Sequence, residues 1–313
     1  MPLATKAIKQ KIKSVGSIGK ITKTMEMVSV SKMRRAVDQA LSSRSYSHYA
    51  LELLVNLSKD KNVSNLLMLV SKKAEVSNKE LIIVVASNKG LCGGYHTNLF
   101  KALSSYVNRK ETNNKEIQSV TIGKHAEKIC KKLGIQNFAS FITFSEASSI
   151  EQTRELSALL AHEFTEGNFS SIKILYTEFL KSTIYKPVLR EIFPISVETI
   201  KNILEVSSTE VLSGEETAGK ISNFDFTDYK FEPDLNTILG NILPGLVDVV
   251  IYQTLAEAFA SEHSARMFAM KNAEDSATAI LHSLTLQYNH ARQDGITREL
   301  SEIVGGAEAL ANN

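Results

Sequence analysis

A glycine-rich loop, Ser87 to Gly94, is the segment of this sequence with the clearest potential for chemistry. It reads Ser-Asn-Lys-Gly-Leu-Cys-Gly-Gly, follows the apolar run 81–86 and precedes a helical pattern. Nucleotide-binding folds hold phosphate groups at such a strand-to-helix junction. The spacing, however, fits neither GxGxxG nor GxxxxGK[ST]. We therefore expect a tight turn here and keep a nucleotide-binding α/β enzyme as the rival interpretation.

Cys92, inside this loop, could in principle act as a nucleophile or a redox thiol. No His or Asp is placed by the sequence to activate it, so we expect a buried, small apolar side chain. Cys92 and Cys130 are the only two cysteines, which is too few for a closed zinc site or a disulfide framework. The seven histidines do not cluster along the chain. We therefore predict no catalytic residue, no cofactor, no metal, and a reducing compartment.

The sequence predicts two long helices, one at each end of the chain. In the first 57 residues, apolar or small residues recur every three or four positions, which is typical of a helix that winds around a second helix. The predicted contact positions are Ile8, Ile12, Val15, Ile18, Thr22, Met25, Val28, Met33, Ala36, Ala40 and Ser43.

The C-terminal segment repeats this pattern over a greater length. Pro233 and Asp234 are helix-start signals, and the pattern runs to about Val304, before Gly305 and Gly306. A helix of that length is on the order of 100 Å long. The predicted contact positions are Leu235, Ile238, Ile242, Leu246, Val249, Tyr252, Ala256, Phe259, His263, Arg266, Met270, Ala273, Ala277, Ile280, Leu284, Gln287 and Ala291.

We expect these two segments to form one antiparallel two-helix coiled coil, because the chain between them reverses direction. Small residues at the contact positions allow close approach of the helices. His263 and Arg266 are polar where apolar residues are expected, so we predict that each reaches solvent or meets a carboxylate such as Glu26 or Glu262. The polar run 288–294 is predicted to contact an enclosing partner.

The middle of the chain follows a different pattern. Strands are predicted at 81–86, 119–122, 138–141, 172–179 and 184–193, and helices at 95–107, 124–133 and 150–166. Alternation of strands and helices indicates a Rossmann-like α/β domain with a largely parallel sheet, which ends in a hairpin near Thr183. The predicted domains are therefore 1–57 (helix), 78–230 (α/β domain) and 233–313 (helix).

Charge is unevenly distributed, although the net charge is only +2. Residues 1–45 carry ten Lys and Arg against two acidic residues, and residues 205–234 carry eight acidic residues against two Lys. Three partners fit a strongly basic helix: nucleic acid, an anionic membrane surface, or an acidic protein surface. The residues alone do not choose among them. No apolar run has the length of a membrane span. No neighbourhood of the sequence combines a nucleophile, a general base and an oxyanion site, so we predict an interaction protein, with a basic coiled-coil adaptor for nucleic acid or a membrane surface as a second rival interpretation.

Several motifs resemble one family over the whole chain. The segments KITKTMEMVSVSKMR (20–34), SEHSARMFAMKNAED (261–275) and LTLQYNHARQDGITRELSEIVGG (284–306) are similar to the N- and C-terminal signatures of F-type ATP synthase gamma subunits. The loop GLCGG (90–94) also matches. Asp294 departs from this pattern, because the family has Ala after Arg-Gln.

The resemblance implies a non-catalytic rotor shaft, or central stalk, of a proton-translocating ATP synthase, which couples rotation of the membrane c ring to ATP synthesis or hydrolysis. The implied partners are the alternating alpha and beta subunits, the epsilon subunit and the c ring, with no nucleic acid and with nucleotide sites on alpha and beta. By resemblance, Met25, Arg292 and Gln293 contact the beta subunit, and the basic helix faces acidic beta-subunit loops.

The resemblance also carries an expectation of location. The family signature begins within the first twenty residues, so we expect no transit peptide. We therefore expect a bacterial protein on the cytoplasmic side of the inner membrane, attached through the complex, while a processed organellar protein remains the alternative.

Overall fold

A computed structural model describes residues 3–57, 77–109, 115–181, 183–194 and 235–311. The acidic stretch 205–234 lies outside the described residues. The chain divides into two compact units. We call residues 30–265 the α/β unit, and residues 1–29 together with 266–313 the helical unit.

Both predicted long helices are present. Helix α1 spans Leu3–Leu57 (55 residues), and the C-terminal helix, α5, spans Leu235–Ala311 (77 residues) with Pro244 inside it. The predicted end of α5 near Val304 is wrong. Each glycine at 305 and 306 costs a helix about 1 kcal/mol relative to alanine, but neither supplies the cap that would end it. None of the described helices is both long enough and apolar enough to cross a membrane.

The α/β unit contains five strands and three shorter helices. The strands are β1 Lys79–Val85, β2 Glu116–Ile122, β3 Gln136–Phe141, β4 Ser171–Lys181 and β5 Ile184–Phe193. The helices are α2 Tyr95–Val107, α3 Lys124–Lys132 and α4 Ile150–Thr165.

The sheet has the order β3-β2-β1-β4-β5. Strands β1 to β4 are parallel to one another, and β5 pairs antiparallel with β4, with Lys181 opposite Ile184. The predicted α/β arrangement, with its closing hairpin, is therefore confirmed. The order 3-2-1-4-5 is that of the doubly wound nucleotide-binding folds.

Alternation along β1 separates two apolar cores, because successive strand residues point to opposite faces. Ile82 and Val84 pack with helices α2 and α3 on one face. Leu81 and Ile83 pack on the other face with α4 and with the parts of α1 and α5 that belong to this unit. Both faces are thus covered, which explains the almost continuous apolar composition of β1.

Within the helical unit, α1 and α5 contact each other in antiparallel directions. A Cβ added at Gly19 would lie 3.6 Å from the Cβ of Ala277. One turn further along α1, Lys23 forms an ion pair of 3.1 Å with Glu274. The numbering rises along α1 as it falls along α5, so the predicted antiparallel direction is confirmed at this level.

The contact positions differ in part from the predicted set. Ile18, Val28 and Ile280 are about half exposed, at 51 %, 49 % and 49 %, whereas Ser29 is buried. The prediction placed Val28 and Met33 on one face, but five residues turn a helix by about 500°, which puts them on different faces. Ser29, four residues before Met33, takes the inner position instead.

Candidate functional site

The glycine-rich loop forms the predicted turn between β1 and α2. The amide of Ala86 donates to the carbonyl of Ile122 (2.9 Å), which ties the end of β1 to β2. Leu91 and Gly93 then adopt positive φ angles of 62° and 57°. Two such residues reverse the chain within a few positions, and α2 begins directly after Gly94.

Three side chains meet at this turn. The Oγ of Ser87 lies 2.7 Å from Nε2 of His96, and the Sγ of Cys92 lies 3.5 Å from Nδ1 of the same ring. The ring of His96 stacks on that of His125, with centroids 3.9 Å apart. The structure thus places a histidine beside Cys92 that the sequence analysis did not identify, whereas the predicted burial of Cys92 is confirmed. The four-residue spacing from Cys92 to His96 was a usable signal, whereas His125 comes from the next helix.

The Cys92–His96 pair does not form an accessible nucleophile. Cys92 is 2 % exposed, so a substrate cannot reach its sulfur in this conformation. Cys130 is also buried and free, and burial raises the pKa of its thiol despite a hydrogen bond with Ser119. Within the described ranges, no group of three or more His, Cys, Asp or Glu side chains is arranged to hold a metal ion.

A basic groove of about 760 Å³ lies between α2 and α3, beside the stacked histidines. It is lined by His96, Thr97, Phe100, His125, Lys128, Ile129, Lys131 and Lys132. The lysines and imidazoles could donate hydrogen bonds to carboxylate or phosphate oxygens. None of the residues that line this groove belongs to the glycine-rich loop 87–94, which the rival interpretation requires as its phosphate cradle.

The three residues predicted to contact a beta subunit all lie in the helical unit. Met25 is half-buried on α1, and Arg292 and Gln293 are exposed on α5. Since Lys23 meets Glu274, Met25 is level with α5 residues about 20 positions before Arg292, or roughly 30 Å away. The structure therefore does not bring Met25 and Arg292 together, and any contacts they make lie at two separate levels.

The helical unit also exposes many large apolar side chains. Each of these is at least 49 % exposed: Ile18, Ile21, Met27, Val28, Ile280, Leu286, Ile296, Leu300, Ile303 and Val304. Four of them (296, 300, 303 and 304) follow helical spacing and form one stripe along α5. Contiguous apolar surface of this kind marks a protein interaction site.

Along the chain, a doubly wound α/β domain thus lies between two very long helices that contact each other. The family model described as ATP synthase matches residues 4–310. The ATP synthase gamma chain of Variovorax paradoxus (strain S110) is 34 % identical over 308 residues, covering 98 % of this chain and 99 % of the relative. The gamma chain of Staphylococcus epidermidis (strain ATCC 12228 / FDA PCI 1200) is 33 % identical over 305 residues, covering 97 % and 98 %.

Solved structures show the same fold. A chain in the rotor of the Euglena gracilis mitochondrial ATP synthase matches with a TM-score of 0.60 at 18 % identity, covering 94 % of this chain and 99 % of that one. A chain in the central stalk and c ring of the Tetrahymena thermophila enzyme gives 0.54 at 16 % identity, covering 81 % and 99 %. The chain described here belongs to the ATP synthase family, among the gamma chains.

Proposed function

We propose that this chain is the rotor shaft of an F-type ATP synthase, which couples rotation of a membrane c ring to ATP synthesis or hydrolysis on alpha and beta subunits. The observation that carries this proposal is the gamma-chain similarity over nearly the full length. The fold supports it, because two long helices that contact each other in antiparallel directions could form a shaft.

We further propose that α1 and α5 form an antiparallel coiled coil, with chain segments 1–57, 78–230 and 233–313 as the domains. The Gly19–Ala277 and Lys23–Glu274 contacts support this arrangement. The exposed apolar side chains of the helical unit would lie against an enclosing ring of alternating alpha and beta subunits, which would remove them from water. The basic face of α1 would meet acidic beta-subunit loops.

The coupling mechanism follows from asymmetry. A single chain inside a ring of three equivalent sites cannot contact all three alike, so each orientation favours a different conformation at each site. Rotation changes these preferences in sequence, which is allosteric coupling through differential contacts. In this proposal, Met25, Arg292 and Gln293 are contact residues for the beta subunit.

The remaining assignments rest on the same family similarity. We place the α/β unit near the epsilon subunit and the c ring, and the whole complex on the cytoplasmic side of a bacterial inner membrane. We assign no catalytic site to this chain, and the burial of Cys92 supports that assignment.

Titration of the isolated chain with ATP distinguishes this function from the rival one, a nucleotide-binding enzyme. Tight, saturable ATP binding that the Lys89→Ala variant abolishes would favour the enzyme.

The proposed function is tested by Arg292→Ala in a reconstituted complex. We expect coupled ATP turnover to fall about tenfold, because truncating a central interfacial arginine commonly costs more than ~1 kcal/mol, while helix content stays unchanged. Arg298→Ala is a matched control, since six residues turn the helix by about 240° and place Arg298 on another face. Equal turnover in the Arg292 variant and the wild type would contradict the contact assignment.

A further inference from the structure

A short turn between β3 and α4 holds one carboxylate in a fixed position. The amide of Ser148 donates to the carbonyl of Ser145 (3.0 Å), and the amide of Ser145 donates to the hydroxyl of Ser148 (2.9 Å). The amide of Ala147 donates to the Ser145 hydroxyl (3.3 Å). Phe144, just before the turn, is buried in the apolar core. Glu146 therefore projects from a turn that is held by three hydrogen bonds and a buried aromatic ring.

The carboxylate of Glu146 contacts both long helices at once. Its Oε1 lies 2.6 Å from Nζ of Lys32 on α1, and its Oε2 lies 3.4 Å from Nε2 of His263 on α5. Glu146 and His263 are both buried, at 9 % and 5 % exposure. The carboxylate found beside His263 is thus Glu146, whereas the prediction named Glu26 and Glu262 as examples. Lys32, Glu146 and His263 all belong to the α/β unit.

Other polar contacts hold α5 further along its length. Asp248 accepts hydrogen bonds from Arg154 (3.2 Å) and from the hydroxyl of Ser157 on α4. The hydroxyl of Tyr176 on β4 donates to Glu257 (3.3 Å). Asp248 and His263 are 15 residues apart, or about 22 Å along the helix. The attachment of α5 is therefore spread over four turns, and Glu146 adds α1 to it.

We propose that Glu146 is a positioning residue for torque transmission, which locks α1 and α5 to the α/β domain so that the two helices cannot turn independently of it. This inference rests on the proposed function.

The physical reason lies in the kind of contact. Apolar packing of Ala36 and Val247 against the sheet is non-directional and tolerates sliding or rotation of a helix. The carboxylate of Glu146 instead fixes positions: its contact with Lys32, at 2.6 Å, is a charge-assisted hydrogen bond, which is short and directional. Its contact with His263, at 3.4 Å, is longer and electrostatic. Rotation of α1 on the domain would separate Lys32 from Glu146 and leave the carboxylate without its cation in a largely buried place. Rotation of α5 would remove the contact between Glu146 and His263.

The test uses the complete complex in proteoliposomes and measures protons pumped per ATP hydrolysed. We expect Glu146→Gln and Lys32→Gln to lower this ratio at least about threefold while ATP hydrolysis continues. Without the ion pair, the helices can rotate on the α/β domain when they transmit torque. The double variant Lys32→Glu/Glu146→Lys re-forms the pair on α1 with reversed charges but loses the contact with His263, so its ratio should exceed that of both single variants and stay below that of the wild type. A role in stability alone predicts lower assembly yield but an unchanged ratio in the complexes that do assemble.

Glu151→Gln is the matched control, because it removes the same charge from an exposed position on α4. A ratio in Glu146→Gln or Lys32→Gln equal to that of the control would overturn the inference, as would a charge-swapped variant no better than the single ones. If Glu146→Gln does not assemble, Lys32→Gln and the swap decide the question. A wild-type complex that hydrolyses ATP without pumping would contradict the proposed function itself, which distinguishes the two failures.

Discussion

Gly123 stands where the chain leaves β2 and enters α3. Its φ of 90° lies in a region that favours glycine, and its amide donates to the carbonyl of Phe141 (2.9 Å). A Cβ at this position would lie 2.1 Å from the carbonyl oxygen of Ala86. The close approach of two backbone segments therefore sets the entry to α3, and with it the position of His125 in the stacked pair.

We expect Gly123→Ala to lower the free energy of unfolding by at least about 3 kcal/mol, because it combines an unfavourable φ with a backbone clash. Gly134→Ala is the control: its φ is also positive, at 69°, but an added Cβ would meet nothing within 4 Å. It should cost only about 1–2 kcal/mol. Denaturant unfolding of both variants measures the difference, and equal costs would contradict the clash.

Glu146 should give stability a dependence on acid pH. Burial alone would raise the pKa of this carboxyl, but hydrogen bonds from Lys32 and a backbone amide, together with His263, hold the pKa below its ordinary value of 4.5. A carboxyl with a lowered pKa in the folded state stabilises the fold above its unfolded-state pKa, and this contribution is lost as the pH falls through the folded-state pKa.

The stability difference between the wild type and Glu146→Gln should therefore be large at pH 7 and shrink below about pH 4.5. Denaturant unfolding at several pH values between 7 and 3 measures it. Glu151→Gln, which removes an exposed carboxylate from α4, should show little difference from the wild type at pH 7. A Glu146→Gln deficit that stays constant over this range would count against the ion-pair interpretation.

At the scale of elements, α1 and α5 approach each other closely in the helical unit because their inner positions are small. Gly19 faces Ala277, and Ser29 occupies an inner position that Val28 does not. Small inner residues leave larger apolar ones such as Ile21 outside, where the neighbouring subunits would bind in the proposed assembly. The same helix pair thus offers one surface for the contact between α1 and α5 and a second surface for the proposed neighbouring subunits.

We expect Gly19→Ala to raise the melting temperature of the helical signal, because a Cβ at 3.6 Å from Ala277 is an ordinary contact and alanine favours a helix by about 1 kcal/mol over glycine. Ala277→Leu should lower it, since overpacking costs about 1–3 kcal/mol. Far-UV circular dichroism measures both. Gly16→Ala, where no atom lies within 4 Å, isolates the propensity effect and should resemble Gly19→Ala.

At the scale of the whole molecule, the two units differ in how much apolar surface they bury. Where side-chain burial is described, the buried apolar residues of the helical unit are Met270 and Ala277, and all the others belong to the α/β unit. The free energy of folding therefore comes mainly from the α/β unit. The helical unit depends on further burial, which the proposed ring of subunits would provide.

Amide hydrogen exchange of the free chain should accordingly be faster in residues 3–29 and 266–311 than in strands β1 and β4, because local opening costs less where little apolar surface is buried. Assembly with alpha and beta subunits should slow exchange in the two helical segments and leave the strands nearly unchanged. Protection of the helical unit that is equal in the free and assembled states would contradict its proposed place inside the ring.

The periodicity of apolar residues in the sequence was enough to predict most helices and strands of this protein. The three-and-four spacing predicted both long helices, and strand–turn–helix alternation predicted the parallel sheet, because each pattern reflects which side chains one element must bury. The five-residue step from Val28 to Met33 already shows in the sequence that these two residues lie on different faces. The exposure of Ile280 could not be predicted, since a spacing shows which residues share a face but not what covers that face. Met25, Arg292 and Gln293 came from family resemblance, and their spatial separation followed from the register of the helices.

The contacts that join distant segments were decided by tertiary structure alone. Glu146 reaches Lys32 and His263, which are 114 and 117 positions away in sequence, and His96 stacks on His125 from a different helix. Local patterns encode the preferences of a segment for helix or strand, because these depend on neighbours within a few residues. Pairings across the fold depend on packing that is set only when all elements are in place.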